Sequence, residues 1–328
     1  MRSPLRIVMV PLDGSPVSEQ ALAVGAAIAR HAGAMLHLLT VRPPISTVPG
    51  RPGAFMDGAT AERALHEGFR AYLEEQADSV RGSDQPITVT CAVLDGWIAG
   101  ALAAYSRAHN VDLIVMTTHG WGGLKRLWLG SVADELVRRV RCPALLLRPP
   151  SGPPAIGFHR VLVALESTEG AEAILEPALV LGDLVQGAHY TLLQVIEPQI
   201  PLVLRLGGIP TRTGDAWVRE VRDAAAGRLE HLAERLRGRG IVADARVLIG
   251  RGTGEQILTF ARQAGCDLIV VGTRGARGVD RMVFGSVADK VLRGATQMVL
   301  VVPVGAEPAP EPETRREATA LAGTRQAP

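Results

Sequence analysis

The sequence predicts an α/β protein of two tandem domains, each a five-stranded parallel sheet with helices on both faces. Three observations predict it. Short apolar runs alternate along the chain with segments of helical apolar period, the pattern of parallel strands joined by helical crossovers. Most runs are continuously apolar, as in strands covered on both faces. And the whole pattern occurs twice.

The repeat is explicit. VDLIVMTTHGWGGLKRLWLGSVADELV begins at Val111 and CDLIVVGTRGARGVDRMVFGSVADKVL at Cys266. Asp112 is matched by Asp267, and Gly130-Ser131 by Gly285-Ser286, both 155 residues on. VMVPLDGSPVSEQAL from Val8 pairs with VLVALESTEGAEAIL from Val161, 153 residues on; LHLLTV ending at Val41 pairs with YTLLQV ending at Val195. The order of segments is preserved, so the chain is a tandem duplication. Residues 1–150 form a first domain, the Pro/Gly-rich 151–158 a linker, and 159–304 a second domain. Residues 305–328, rich in Pro, Ala and charge and without periodicity, read as a disordered tail.

Taken in order, IVMVPL is the first strand, and Ser15–Arg30 carries a helical apolar stripe. MLHLLTV is the second strand. After a Pro/Gly-rich loop, Ala59–Val80 reads as a helix. ITVTCAVL alternates as a third strand, Ala99–His109 is a helix, and DLIVMTT is a fourth strand. Gly130-Ser131 opens a helix through Arg139, and PALLL is the fifth strand. Ligands of such sheets sit beyond the carboxyl ends of the strands, where strand order reverses.

Composition bounds the function. Apolar residues make up 47% and aromatics 4%, so the cores are built from Ala, Val, Leu and Ile. The net charge of +2 is spread among interspersed acidic and basic residues, against a nucleic-acid surface. Cys91, Cys142 and Cys266 lie in or beside apolar runs without ligand spacing and read as buried free thiols; the histidines are scattered, and no metal site is expected. Pro4 and Asp13 come too early for a signal peptide, and no stretch nears the ~20 apolar residues of a membrane span. A cytoplasmic protein is expected.

One loop carries chemistry. Gly272, Gly275, Gly285 and Ser286 follow the pattern G-x-x-G-x9-G-S between an apolar strand and a helix. Glycines let a ligand approach the main chain, and the first N–H groups of a helix lack internal partners and carry partial positive charge. Phosphate suits that arrangement, although no Walker lysine is present. The competing reading is a tight crossover with Ser286 as a plain cap. Arg274 and His119, at matched positions, face either phosphate or solvent. Trp121 and Trp128 pack the loop or a domain interface.

This glycine pattern, the opening VPLDGSPVSEQAL and the final strand CPALLL resemble the universal stress protein family in its tandem two-domain form, over nearly the whole chain except linker and tail. The resemblance implies Rossmann-like domains of the adenine nucleotide alpha hydrolase-like kind. It implies pairing through the last strands, within one chain or as a homodimer, and in one subgroup ATP binding, with any Mg held only through the phosphates. The implied first-domain contacts are Pro11, Asp13 to adenosine, the Val41 backbone to adenine, and Thr117, Gly120, Gly130, Ser131 and Val132 around phosphate. In the second domain they are Glu166, Val195, Gly272, Gly275, Gly285, Ser286 and Val287. Each half departs from the pattern. Thr117 stands where the other half has Gly272, which costs ~1–2 kcal/mol if positive φ is required. Glu166 replaces the Asp, Ser167 replaces Gly14, and Glu169 adds negative charge. The first half is therefore the favoured site, although Asp13 could equally cap the next helix with Ser15.

No nucleophile–base set is evident: Ser131 and Ser286 sit in G-S-V, not G-x-S-x-G. An ATP-dependent ligase would need S-G-G-x-D-[ST] after the first strand, where PLDGSP and ALESTE stand. At most, slow ATP hydrolysis follows by analogy. The expectation is a stress-response regulator binding an adenine nucleotide in at least one domain; the alternative is a nucleotide-free interaction scaffold.

Overall fold

The computed structural model describes residues 5–42, 58–82, 86–118, 129–148, 158–166, 171–183, 187–197, 211–274 and 285–304. The first half contains β1 (Ile7–Pro11), α1 (Pro16–Ala32), β2 (Met35–Arg42), α2 (Gly58–Arg81), β3 (Val89–Asp95), α3 (Ile98–Ala108), β4 (Leu113–Thr117), α4 (Ser131–Val137) and β5 (Ala144–Leu147). The second contains β6 (Arg160–Ala164), a 3-10 turn Ala171–Ile174 leading into α5 (Leu175–Gly182), β7 (His189–Ile196), α6 (Thr211–Arg237), β8 (Val242–Ile249), α7 (Thr253–Gln263), β9 (Leu268–Arg274), α8 (Ser286–Gly294) and β10 (Met298–Val304). Most of the expected linker and all of the expected tail lie outside the described residues.

The ten strands of the described residues form one sheet in the order β3-β2-β1-β4-β5-β10-β9-β6-β7-β8. Within each half every neighbour is parallel. At the centre β5 and β10 run antiparallel, with Leu145 opposite Leu300 and Leu146 opposite Val299. In each half the order of successive strands across the sheet reverses at one place, between β1 and β4 or between β6 and β9.

Period-2 side chains split the core into two layers. Val8, Val10, Val161 and Val163 face α1, α2, α5 and α6; Met9, Leu162 and Ile269 face α3, α4, α7 and α8. Two carboxylates pin the starts of strands. Asp112 Oδ2 accepts the N–H groups of Arg6 (2.8 Å) and Ile7 (2.9 Å); Asp267 accepts those of His159 (3.0 Å) and Arg160 (3.1 Å).

Helix ends differ slightly from expectation for local reasons. α1 runs on to Ala32 because Gly33, at φ 65, supplies the left-handed residue that closes it. α4 stops at Val137, short of Arg139. Of the three thiols Cys266 is buried, while Cys91, inside the outermost strand β3, and Cys142, just before β5, are half-buried; desolvation raises all three above the ordinary thiol range.

α4 and α8 meet across the centre of the sheet. Asp134 and Arg138 form a bidentate i,i+4 pair at 3.0 and 3.1 Å, and Asp289 and Arg293 the same pair at 2.9 and 3.1 Å. The pairs cross-link: Arg138 lies 3.5 Å from Asp289, and Arg293 lies 3.7 Å from Asp134.

Candidate functional site

A cavity of about 250 Å³ opens at the carboxyl ends of β6 and β9, at the reversal of strand order in the second half. Its floor is apolar: Ala164, Leu165, Leu193, Val195 and Val271 from the strands, Ile257 from α7, and Val287 and Ala288 from α8. Glu166, Gln194 and Thr253 add polar atoms. Ligand clefts usually span roughly 300–1,000 Å³, so this space suits one ring system, with anything longer reaching out along the helix ends. Four of the residues expected in the second half, Glu166, Val195, Gly272 and Val287, line it.

α8 begins at its rim. Asp289 N–H donates to Gly285 C=O at 3.0 Å, the first bond of the helical ladder. The N–H groups of Ser286, Val287 and Ala288 precede that bond, which places three donors and the positive end of the dipole beside the cavity. Ser286 is exposed.

The two described glycines of the loop have different causes. Gly272 is an extended residue of β9 outside the positive-φ region. A Cβ there would lie 2.8 Å from Val304 Cγ2 and 3.2 Å from Ile174 Cγ2, so packing excludes a side chain. The expected conformational strain at Thr117 is accordingly absent: Thr117 ends strand β4, also outside positive φ. By the repeat, Ile174 corresponds to Ala21, a buried small residue. Gly285 has neither reason to be glycine. Its φ of −65° and ψ of 146° suit any residue, and among the described residues no atom lies within 4 Å of an added Cβ.

In the first half two of the expected residues, Asp13 and Gly130, have partners within the fold. Asp13 Oδ1 accepts from the Ser15 N–H (3.0 Å) and the Ser15 hydroxyl (2.5 Å). Ser15 in turn caps α1 by accepting from Ser18 N–H at 3.1 Å. The capping role left open for Asp13 is thus present. Gly14 takes φ 79 at this turn. Tyr72 Oη lies 3.2 Å from Glu19, and burial first, then the Glu19 and Asp13 carboxylates, hold its hydroxyl well above the ordinary phenol range. Gly130 N–H donates to Thr118 C=O at 2.8 Å and is thereby used. Ser131 and Val132 open α4, while Pro11 and Val41 sit at the carboxyl ends of β1 and β2. Gly120 and Gly275, with His119, Trp121 and Trp128, lie outside the described residues.

Sequence reasoning missed Thr253 and Ile257. They enter because α7 starts beside the cavity, behind Gly252 in a left-handed conformation (φ 74) whose N–H donates to Glu197 at 3.4 Å. The available signal was the apolar face of the helix after β8.

Among the described residues, no helix is long and apolar enough to cross a membrane, and no group of three or more metal-ligating side chains gathers. Residues 4–148 and 157–303 each match the sequence model of the Universal stress protein family. Over 325 residues the chain is 28% identical to Universal stress protein Rv1996 of Mycobacterium tuberculosis, covering 92% of this chain and 96% of that one. Over 148 residues it is 32% identical to Universal stress protein YxiE of Bacillus subtilis, covering 44% of this chain and 99% of that one. A crystal structure of a universal stress protein from Archaeoglobus fulgidus has the same fold, with TM-score 0.66 at 20% identity, covering 91% of this chain and 96% of that one.

Proposed function

Because the chain belongs to the universal stress protein family, we propose that it is a stress-response protein whose second domain binds an adenine nucleotide, with ATP as the first candidate. The carrying observation is the cavity at the β6/β9 reversal, apolar enough for a purine and rimmed by the first turn of α8. In this reading the purine enters between Val195, Val271 and Ile257. The phosphates reach the N–H groups of Ser286 and Val287 past the bare Cα of Gly285. Mg would be held through the phosphates alone.

The first domain then serves as scaffold. Asp13 bonded to Ser15, and Gly130 bonded to Thr118, support that division of labour. The β5–β10 register supports association of the two domains, 1–150 and 159–304, through their last strands within one chain. We place the protein in the cytoplasm, on its composition and free thiols.

Titration calorimetry of the full chain with ATP tests this reading. One site per chain is expected, weakened at least tenfold by Gly285→Val. Absence of heat at millimolar ATP would leave the nucleotide-free scaffold as the function.

A further inference from the structure

We propose that Arg148 is a positioning residue through which the first domain sets the seat of α8, and with it the donors at the second domain's cavity. The proposal rests on the nucleotide reading of that cavity for its functional consequence, and on helix geometry for the rest.

The last carbonyls of a helix have no partner within it. In α8, Ala295 N–H takes the Val291 carbonyl at 2.8 Å. The next two, Leu292 and Arg293, are both taken by Arg148 Nη2, at 2.8 and 2.5 Å. Arg148 follows directly on β5, so these bonds cross from the first domain to the second. A half-buried cation at a helix C-terminus also opposes the negative end of the dipole.

α8 has nine residues, about 13 Å of rod, and helices this short depend on tertiary partners. Its sides are fixed by close packing on α7. A Cβ at Gly254 would lie 2.8 Å from Lys290 Cβ and Cγ, and one at Gly294 would overlap Leu258. Lys290 also pairs with Glu255 at 2.7 Å. Those contacts set the distance between the helices; the Arg148 cap opposes sliding and fraying along the axis. The other end of the same rod carries Ser286, Val287 and Ala288 at the cavity.

The arrangement runs one way. The repeat places Pro303 where the first half has Arg148, 155 residues on. Proline has no side-chain donor and no N–H, so α4 receives no cap from the matching position of the second domain. Through this position the first domain caps the second domain's phosphate-end helix, and Pro303 cannot return the cap. By linkage, an anion that tightens the head of α8 also tightens the contact between domains.

The test uses the full chain as wild type, Arg148→Met, Arg148→Lys and, as control, Arg138→Met. Arg138→Met removes one of the two cross-links between α4 and α8, Arg138–Asp289, and leaves the cap. Segment-resolved amide exchange is read over 286–294 without ligand, and ATP affinity by calorimetry. Arg148→Met should speed exchange of 286–294 about tenfold and weaken ATP about tenfold. Arg148→Lys should recover part of both, and Arg138→Met should change each less. Unchanged exchange in Arg148→Met overturns the proposal, as does faster exchange with unchanged ATP affinity. If wild type binds no ATP, the nucleotide reading fails, and the exchange arm alone decides whether the first domain seats α8.

Discussion

Substituting alanine at the two described loop glycines should give opposite phenotypes. At Gly272 the new methyl meets Val304 Cγ2 at 2.8 Å and Ile174 Cγ2 at 3.2 Å, both about half an ångström or more inside ordinary carbon contact. Overpacking of this kind costs ~1–3 kcal/mol. Loss of glycine's entropy in the unfolded chain returns ~0.5–1 kcal/mol. The net expectation is a loss of about 1–2 kcal/mol, read as a lower midpoint in urea with an unchanged m-value. At Gly285 the conformation suits alanine and no described atom crowds the methyl, so stability should stay within ~0.5 kcal/mol of wild type while ATP affinity falls. A further variant separates packing from other causes. Ile174→Ala alone leaves a cavity costing ~2–5 kcal/mol. Combined with Gly272→Ala it should cost less than the sum, because the methyl enters the space that Ile174 vacates. Stability of Gly272→Ala equal to wild type, or strict additivity in the double variant, would refute the packing argument.

Other consequences can be measured on the same chain. Asp13→Ala should cost about 1 kcal/mol of stability by loosening the Ser15 cap, yet leave the heat of ATP binding intact, since that site lies in the other domain. Loss of ATP binding in this variant would move the site to the first domain. Asp112→Ala leaves the N–H groups of Arg6 and Ile7 without their acceptor, and thermal denaturation should show a loss of ~1–3 kcal/mol. Burial first, then neighbouring His109, holds the His37 imidazole below its ordinary value of 6.5. As pH falls through 6.5 the unfolded chain takes up this proton before the folded one, so the stability present above that pH is lost below it. Midpoints measured from pH 7.5 to 5.5 should fall more steeply in wild type than in His37→Gln; parallel curves would contradict the assignment.

The architecture was legible because apolar runs and helical stripes reflect burial on both faces of one sheet, and burial is written in residue type. Met9 between Val8 and Val10 already encodes the two layers. The duplication was legible for the same reason, from paired segments such as GSVADELV and GSVADKVL. What stayed hidden depends on three-dimensional neighbours. Gly272 looked like a conformational requirement, whereas its cause is packing against Val304 and against Ile174, almost a hundred positions away. Asp13 was read two ways because a carboxylate at a strand end can serve a ligand or a cap; the bond to Ser15, which shows the second role, became visible only in three dimensions. Thr253 and Ile257 reach the cavity through the placement of α7, which no local motif marks. Arg148 reads as an ordinary cation before a Pro/Gly-rich stretch until the carbonyls of α8 come within its reach.

The central claim is where a nucleotide sits. Photolabelling the full chain with 8-azido-ATP, followed by mapping of the modified peptide, tests it most directly. Label is expected on the ends of β7 or β9 or on the first turns of α7, around Val195, Val271 and Ile257, and excess ATP should suppress it. Label confined to the first domain, or insensitive to ATP, would contradict it.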